Sequence, residues 1–281
     1  MMISRRHLLA GTGGAAALAL TGGLGAPAFG AQVRKVGIQL YTVRNIFMKD
    51  PAGTLEKIAR IGFREVEFGG GNYEAMDHAM LRRTMDRHSL TAPSLHIAYE
   101  ALMGQFDESI AMAKALGADT VVIPHMGPSF YKEERWEEAV ANFNRIAVDL
   151  RKAGLGLAYH NHDFEFAIKP DGVSLYDRLL TGTDPALVKI ELDLYWAVRA
   201  KQDAGALIDR LADRLYSYHV KDMAADGKMA AVGQGKIDFA ALFARKGSAA
   251  VRHFYVENDE APAPYFPDIT TSFNAVRALR F

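Results

Sequence analysis

The sequence predicts a single-domain (β/α)₈ TIM barrel, an α/β fold. Three observations carry that expectation. Eight short β-rich runs alternate with helical runs along the chain after residue 30. Several of the β-rich runs are almost continuously apolar, as strands buried on both faces are. Polar and ionisable residues gather at the C-terminal ends of those runs, where this fold places its chemistry. Eight strand–helix units in roughly 250 residues match the size of such a barrel.

The expected strands are Val36–Val43, Glu65–Phe68, Ala92–Ile97, Thr120–His125, Gly156–His162, Lys189–Leu194, Tyr216–Lys221 and His253–Glu257. Helices fill the gaps. Leu55, Ile58 and Ala59 share one helical face, and Gly62 follows as a stop signal. Ile110, Ala113 and Leu116 precede Gly117 in the same way. Trp136, Val140, Phe143, Ala147 and Leu150 recur at three- and four-residue steps, the mark of one buried stripe, before Gly154. Phe273, Val276 and Leu279 form a last stripe. An open doubly wound sheet is the competing fold. It often carries a glycine-rich phosphate loop after its first strand, where this chain reads Gln39-Leu40-Tyr41-Thr42-Val43-Arg44. Gly69-Gly70-Gly71 lacks the spacing of a dinucleotide fingerprint and reads as a flexible turn.

Residues 1–30 read as a leader, leaving residues 31–281 as the barrel. Arg5-Arg6 precedes an apolar Gly/Ala-rich run from Leu8 to Leu24, and small residues follow at Ala26–Gly30. That is the layout of a twin-arginine (Tat) signal peptide, which implies export and a periplasmic or other extracytoplasmic location. The run is short and glycine-rich for a stable membrane span, so no anchor is expected after cleavage. The chain has no Cys, so disulfides, thiolate ligands and a lipidated cysteine are all excluded. Loss of Arg5 and Arg6 leaves a net charge of −2. A nearly neutral chain has no bulk field to draw nucleic acid or anionic lipid.

The strand ends carry Gln39 and Arg44, Glu67, His96, His125, His160-Asn161-His162, Glu191 and Asp193, His219 and Lys221, and Glu257-Asn258. An isolated buried charge is costly, so a polar group near every strand end implies a site. Imidazoles and carboxylates together suit Mn²⁺, Co²⁺, Zn²⁺ or Mg²⁺. Asp193, His219 and Glu257 stand on three consecutive strands and could converge on one divalent ion. Each residue also has a plainer use. Asp193 suits the cap of the following turn, Glu257 a pair with an arginine, Lys221 a pair with Asp222, and Trp196 simple packing. His96 and His125 could line the pocket or bond a carbonyl. Glu67 could orient a ligand histidine. The loops Pro128–Glu134 and Asp259–Pro267 are placed to shape a pocket.

Five segments carry a resemblance: Tyr159–Phe166 (YHNHDFEF), Leu192–Trp196 (LDLYW), His219–Asp222 (HVKD), Gly233–Phe239 (GQGKIDF) and Val256–Asn258 (VEN). The chain resembles the xylose isomerase-like TIM barrels, usually described as sugar phosphate isomerases/epimerases, over essentially all of residues 31–281. The resemblance implies one divalent ion held by Glu, Asp, His and Glu on strands five to eight. Asp193, His219 and Glu257 match the last three. At the first, alignment on Asn161-His162 puts His160 where the family has Glu, with Glu165 as the alternative. Loss of that Glu puts a symmetric two-carboxylate mechanism in doubt, and a histidine-rich fifth strand resembles inosose dehydratases.

The expected chemistry is proton abstraction next to a carbonyl of a small carbohydrate. Glu257 or His160 would be the base. His162 or Lys221 would return a proton or stabilise the oxyanion. Gln39, Glu67, His96, His125 and Trp196 would contact substrate. Isomerase or epimerase is the first reading. A dehydratase or hydratase acting on a keto-sugar, keto-glycoside or inosose is the second, and a non-catalytic exported sugar-binding protein the third.

Overall fold

The structure is a computed structural model that describes residues 30–281. The expected leader, residues 1–30, lies outside the described residues except for Gly30. Eight parallel strands form the barrel: β1 (Gly37–Gln39), β2 (Glu65–Glu67), β3 (Ser94–His96), β4 (Thr120–Ile123), β5 (Gly156–His160), β6 (Val188–Asp193), β7 (Leu215–Val220) and β8 (His253–Val256). Each pairs with its sequence neighbour, and β8 returns to β1, with Ile38 opposite Val256. Between β2 and β3 the contact narrows to isolated bridges, Glu65 with Thr91 and Phe68 with Leu95. The His96 amide donating to the Phe68 carbonyl at 2.7 Å completes the ring.

A principal helix follows each strand: α1 (Pro51–Ile61), α2 (His78–Arg87), α3 (Phe106–Leu116), α4 (Glu133–Lys152), α5 (Leu175–Gly182), α6 (Ala204–Leu211), α7 (Phe239–Phe243) and α8 (Phe266–Ala278). The predicted stripes face inward. Leu55 and Ile58 on α1, and Trp136, Val140, Phe143, Ala147 and Leu150 on α4, are all buried. Aspartates start several helices, since a side-chain oxygen satisfies an amide of the first turn. Asp50, Asp77, Asp203 and Asp238 each do so. No helix among the described residues is long and apolar enough to cross a membrane.

All eight strands occur where expected; six are shorter, and β6 and β7 keep their length but start one residue earlier. The first is not Val36–Val43. It stops at Gln39 and turns into a 3₁₀ segment, Leu40–Val43, because the Gln39 side chain accepts the Tyr41 amide at 3.0 Å. The fifth stops at His160, and Asn161 leaves the sheet to bond the Asp193 backbone in both directions. Gly70 and Gly71, both at φ 68°, turn the chain sharply after β2.

Asp222 was an expected partner of Lys221 but does something else. Its carboxylate accepts the amides of Met223, Gly233, Gly235 and Ile237 at 2.8–3.1 Å. It thereby ties the Gly233–Asp238 loop to the end of β7. A Cβ at Gly235 would collide with that carboxylate and with the Met223 carbonyl. Asp222→Ala leaves several amides without an acceptor and is expected to cost about 1–3 kcal/mol in a urea titration. An unchanged unfolding midpoint would show that the loop holds itself.

Candidate active site

Alternate residues of a strand point the same way, and the barrel ends use that rule repeatedly. Glu191 and Asp193 on β6 point inward, as do Ser217 and His219 on β7, followed by Lys221. Register places Glu191 beside Ser217 and Asp193 beside His219. It also sets His160 beside Glu191 and Tyr255 beside His219. Glu67, Glu191, Asp193 and His219 are 0% exposed, and Glu257 is 4% exposed.

Three ligand atoms converge. His219 Nδ1 lies 2.6 Å from Glu257 Oε2 and 3.9 Å from Asp193 Oδ2. All three are buried, and none makes a hydrogen bond of proper geometry among the described residues. The three atoms lie close enough together to hold one divalent ion, and the imidazole and carboxylate set is of a chemistry that suits one. Asp193 does cap the next helical turn, but only with Oδ1, which accepts the Trp196 amide at 2.9 Å. That bond aims Oδ2 at the site. His160 stands alongside, its Nε2 3.7 Å from Asp193 Oδ2. It groups more tightly with His96, Glu191 and His219 than with the Asp193–His219–Glu257 set.

Lys221 sits against the same carboxylates. Its Nζ is 3.0 Å from Asp193 Oδ2, 2.8 Å from Glu257 Oε2 and 3.1 Å from Asp259. Glu257 therefore pairs with Lys221 rather than with an arginine. Burial opposes the ammonium charge, but the three carboxylates outweigh it and hold the Lys221 pKa well above the usual range. The same carboxylates favour its charged form, which suits the expected role of stabilising an oxyanion more than that of returning a proton. Burial would raise Glu257, yet Lys221 and His219 hold it well below the carboxylate norm. Asp193 is raised, burial outweighing Lys221 and His219. Burial and then His219 push His160 down to about 3, and burial with His160 pushes His162 well down, so both rings are neutral. For His219, burial is outweighed by Glu191 and Glu257, which raise it strongly. A position that attracts a proton this firmly attracts a divalent cation by the same field, and binding one displaces that proton.

Beneath these atoms lies a layer of support. Glu67 Oε2 is 2.7 Å from His219 Nε2 and also accepts Gln39 Nε2 at 2.9 Å. Its other oxygen accepts the Ser94 hydroxyl. Gln39 and Glu67 are both 0% exposed and lie under the pocket, so they support the site instead of lining it as expected. Above opens a cavity of 470 Å³, lined by His96, His125, His160, His162, Lys221 and Glu257, with Tyr41, Glu74 and Asp259 at its walls. That size suits a small organic ligand. Trp196 is not in the lining. It packs on His162, ring centroids 5.3 Å apart. A larger concavity of 690 Å³ between Asp209 and Ala250 has no comparable cluster, since Asp209 there is spent on Arg245.

Glu165 does not reach the ligand set. Its oxygens accept the Tyr159 hydroxyl and the His162 amide, both at 2.8 Å, so it pins the turn after β5. Sequence reasoning passed over Asp259, Ser217, Ser94 and the role of Glu191. The two-residue spacings 191/193 and 217/219/221 were the available signal.

The matched family model is that of the xylose isomerase-like TIM barrel, over residues 55–245. The chain belongs to that family. It is 22% identical over 228 residues to an inosose dehydratase of Clostridium beijerinckii, covering 67% of this chain and 75% of the relative. It is 24% identical over 232 residues to an inosose dehydratase of Geobacillus kaustophilus, covering 68% and 74%. Among solved structures it is similar to a sugar phosphate isomerase/epimerase from Parabacteroides distasonis, with a TM-score of 0.73, 24% identity and coverage of 90% and 96%. It is also similar to a D-psicose 3-epimerase from Clostridium cellulolyticum, with a TM-score of 0.66, 13% identity and coverage of 87% and 99%. The relatives are thus inosose dehydratases, and proteins described as epimerases share the fold.

Burial raises the Glu165 pKa from 4.5 to about 8. The folded chain then keeps a proton that the unfolded chain releases near 4.5, so this residue's contribution to stability falls as pH rises through that window. Glu165→Gln removes the effect. Its stability relative to the parent should grow between pH 5 and 8, by at most about 1.4 kcal/mol per pH unit. Parallel denaturation curves at the two pH values test this; a constant difference would mean that Glu165 is ionised in the fold.

Proposed function

We propose that this protein is a divalent-metal-dependent enzyme that removes a proton next to a carbonyl of a small carbohydrate. One observation carries the reading: Asp193 Oδ2, His219 Nδ1 and Glu257 Oε2 converge beside the pocket, against the buried ammonium of Lys221. Asp193, His219 and Glu257 would hold the ion, with His160 beside them. A bound ion supplies Lewis-acid polarisation of the carbonyl and a neighbouring hydroxyl. The other roles fall to the chain. Ionised Glu257 and neutral His160 are the bases within reach of the site. Lys221 supplies fixed positive charge where an oxyanion develops, with no reorganisation during the reaction. His162, neutral and lining the pocket, is suited to shuttle the proton.

Return of the proton to the neighbouring carbon gives an isomerase, and return to the opposite face gives an epimerase. Loss of a β-hydroxyl gives a dehydratase, acting on a keto-sugar, keto-glycoside or inosose. The dehydratase reading has its own support. A histidine at position 160 leaves a single carboxylate base, Glu257, where a symmetric two-base exchange would use two. The inosose dehydratase relatives point the same way. The twin arginine at Arg5-Arg6 supports export of the folded enzyme, with substrate met outside the cytoplasm.

Elemental analysis of the protein, reconstituted in turn with Mn, Co, Zn and Mg, should find about one ion per chain. Asp193→Asn should lose the ion while the barrel stays folded. The loaded enzyme in deuterium oxide, offered keto-sugars and inososes, should place deuterium next to the carbonyl or release water. No ion under any condition, together with sugar binding in chelator, would replace the enzyme reading with a metal-free binding protein.

A further inference from the structure

Below the ligand atoms, two carboxylates and two imidazoles alternate around a square. His219 Nε2 bonds Glu67 Oε2 at 2.7 Å, and His96 Nε2 bonds Glu191 Oε1 at 2.9 Å. The cross-distances close it: His219 Nε2 to Glu191 Oε1 is 2.9 Å and His96 Nε2 to Glu67 Oε2 is 3.2 Å. The two rings lie nearly parallel, at 11° with centroids 5.4 Å apart. Each carboxylate is fastened from behind by a serine. Ser94 donates to Glu67 Oε1, and Ser217 donates to Glu191 Oε2, the latter at 2.6 Å. Both glutamates are 0% exposed.

This arrangement is more than a satisfied pair of buried charges. Glu67 alone would orient His219, and an apolar residue at 191 would spare the cost of a second buried carboxylate. The aligned partner of Glu191 is His96, a ring that lines the pocket and whose Nδ1 makes no hydrogen bond among the described residues. A ring held by Nε2 from below has only its Nδ1 edge left for a ligand.

We propose that Glu191 is a positioning residue for substrate. It holds the proton-bearing Nε2 of His96 down, so that the Nδ1 edge of His96 meets a substrate oxygen in the pocket. Glu67 does the matching task for His219, on the side of the ion. The two glutamates therefore divide one square between ion and substrate. The substrate half of this assignment rests on the reading under Proposed function; the ring geometry does not.

The experiment uses the full barrel with ¹⁵N-labelled histidine and long-range ¹H–¹⁵N spectra, each ring assigned through its own His→Gln variant. His96 Nε2 should carry a proton in the parent protein. Glu191→Leu, which removes the aligned acceptor and leaves only Glu67 Oε2 at 3.2 Å, should shift the His96 pattern and leave His219 Nε2 protonated. Glu191→Gln should restore the parent pattern, because an amide oxygen still accepts from His96 and its NH₂ can donate to Ser217. With a turned-over sugar in hand, Glu191→Leu should raise KM by about tenfold or more and, because Glu191 also lies 2.9 Å from His219 Nε2, weaken Mn²⁺ binding less than Glu67→Leu does; Glu67→Leu should raise KM less than Glu191→Leu. An unprotonated His96 Nε2 in the parent protein overturns the proposal, and that result needs no variant to fold. Identical His96 spectra in the parent and Glu191→Leu overturn it as well. If the parent binds no ion and turns over no sugar, the enzyme reading fails, while the ring spectra still decide the role of Glu191.

Discussion

Charge compensation inside the mouth of the barrel is the constraint on which the rest depends. Glu67, Glu191, Asp193 and Glu257 are buried within a few ångströms of one another, and Asp259 stands close by. Left unpaired, such a group of carboxylates would not fold in ionised form. Lys221 answers three of them, and His219 and His96 answer the others. Asp193 Oδ2 and Glu257 Oε2 share the single ammonium of Lys221 and face His219 Nδ1, a set that could hold a divalent ion.

The barrel makes this arrangement cheap to build. Parallel strands put alternate side chains on the interior, so β6 contributes both Glu191 and Asp193 and β7 both Ser217 and His219. The support crosses between strands: Ser217 on β7 donates to Glu191 on β6. The serines of one layer hold the carboxylates of the next, and those carboxylates hold the imidazoles. His96, His160 and His219 are carried by the strands themselves, while His162 is held in the turn after β5 by Glu165. The loops have separate anchors, Asp222 for Gly233–Asp238 and Glu165 for the turn after β5.

Much of the fold was legible in the sequence. Alternation of apolar runs with 3.6-residue stripes defines eight strand–helix units, because burial on both faces and burial on one face leave different periodicities. The convergence of Asp193, His219 and Glu257 was legible too, since they are polar where buried strands should be apolar. The lengths of β1 and β5 were not, because they are ended by side chains: Gln39 caps its own strand, and Asn161 reaches to β6. Nor could sequence separate supporting residues from lining ones. Gln39, Glu67, His96 and His125 look alike as polar strand ends; register and depth in the barrel decide that the first two lie beneath the cavity and the last two beside it. Residue type and period determined which elements form and which carry chemistry. Tertiary structure alone decided which atom of each side chain is spent and which is left free, because hydrogen bonds between strands far apart in sequence settle that.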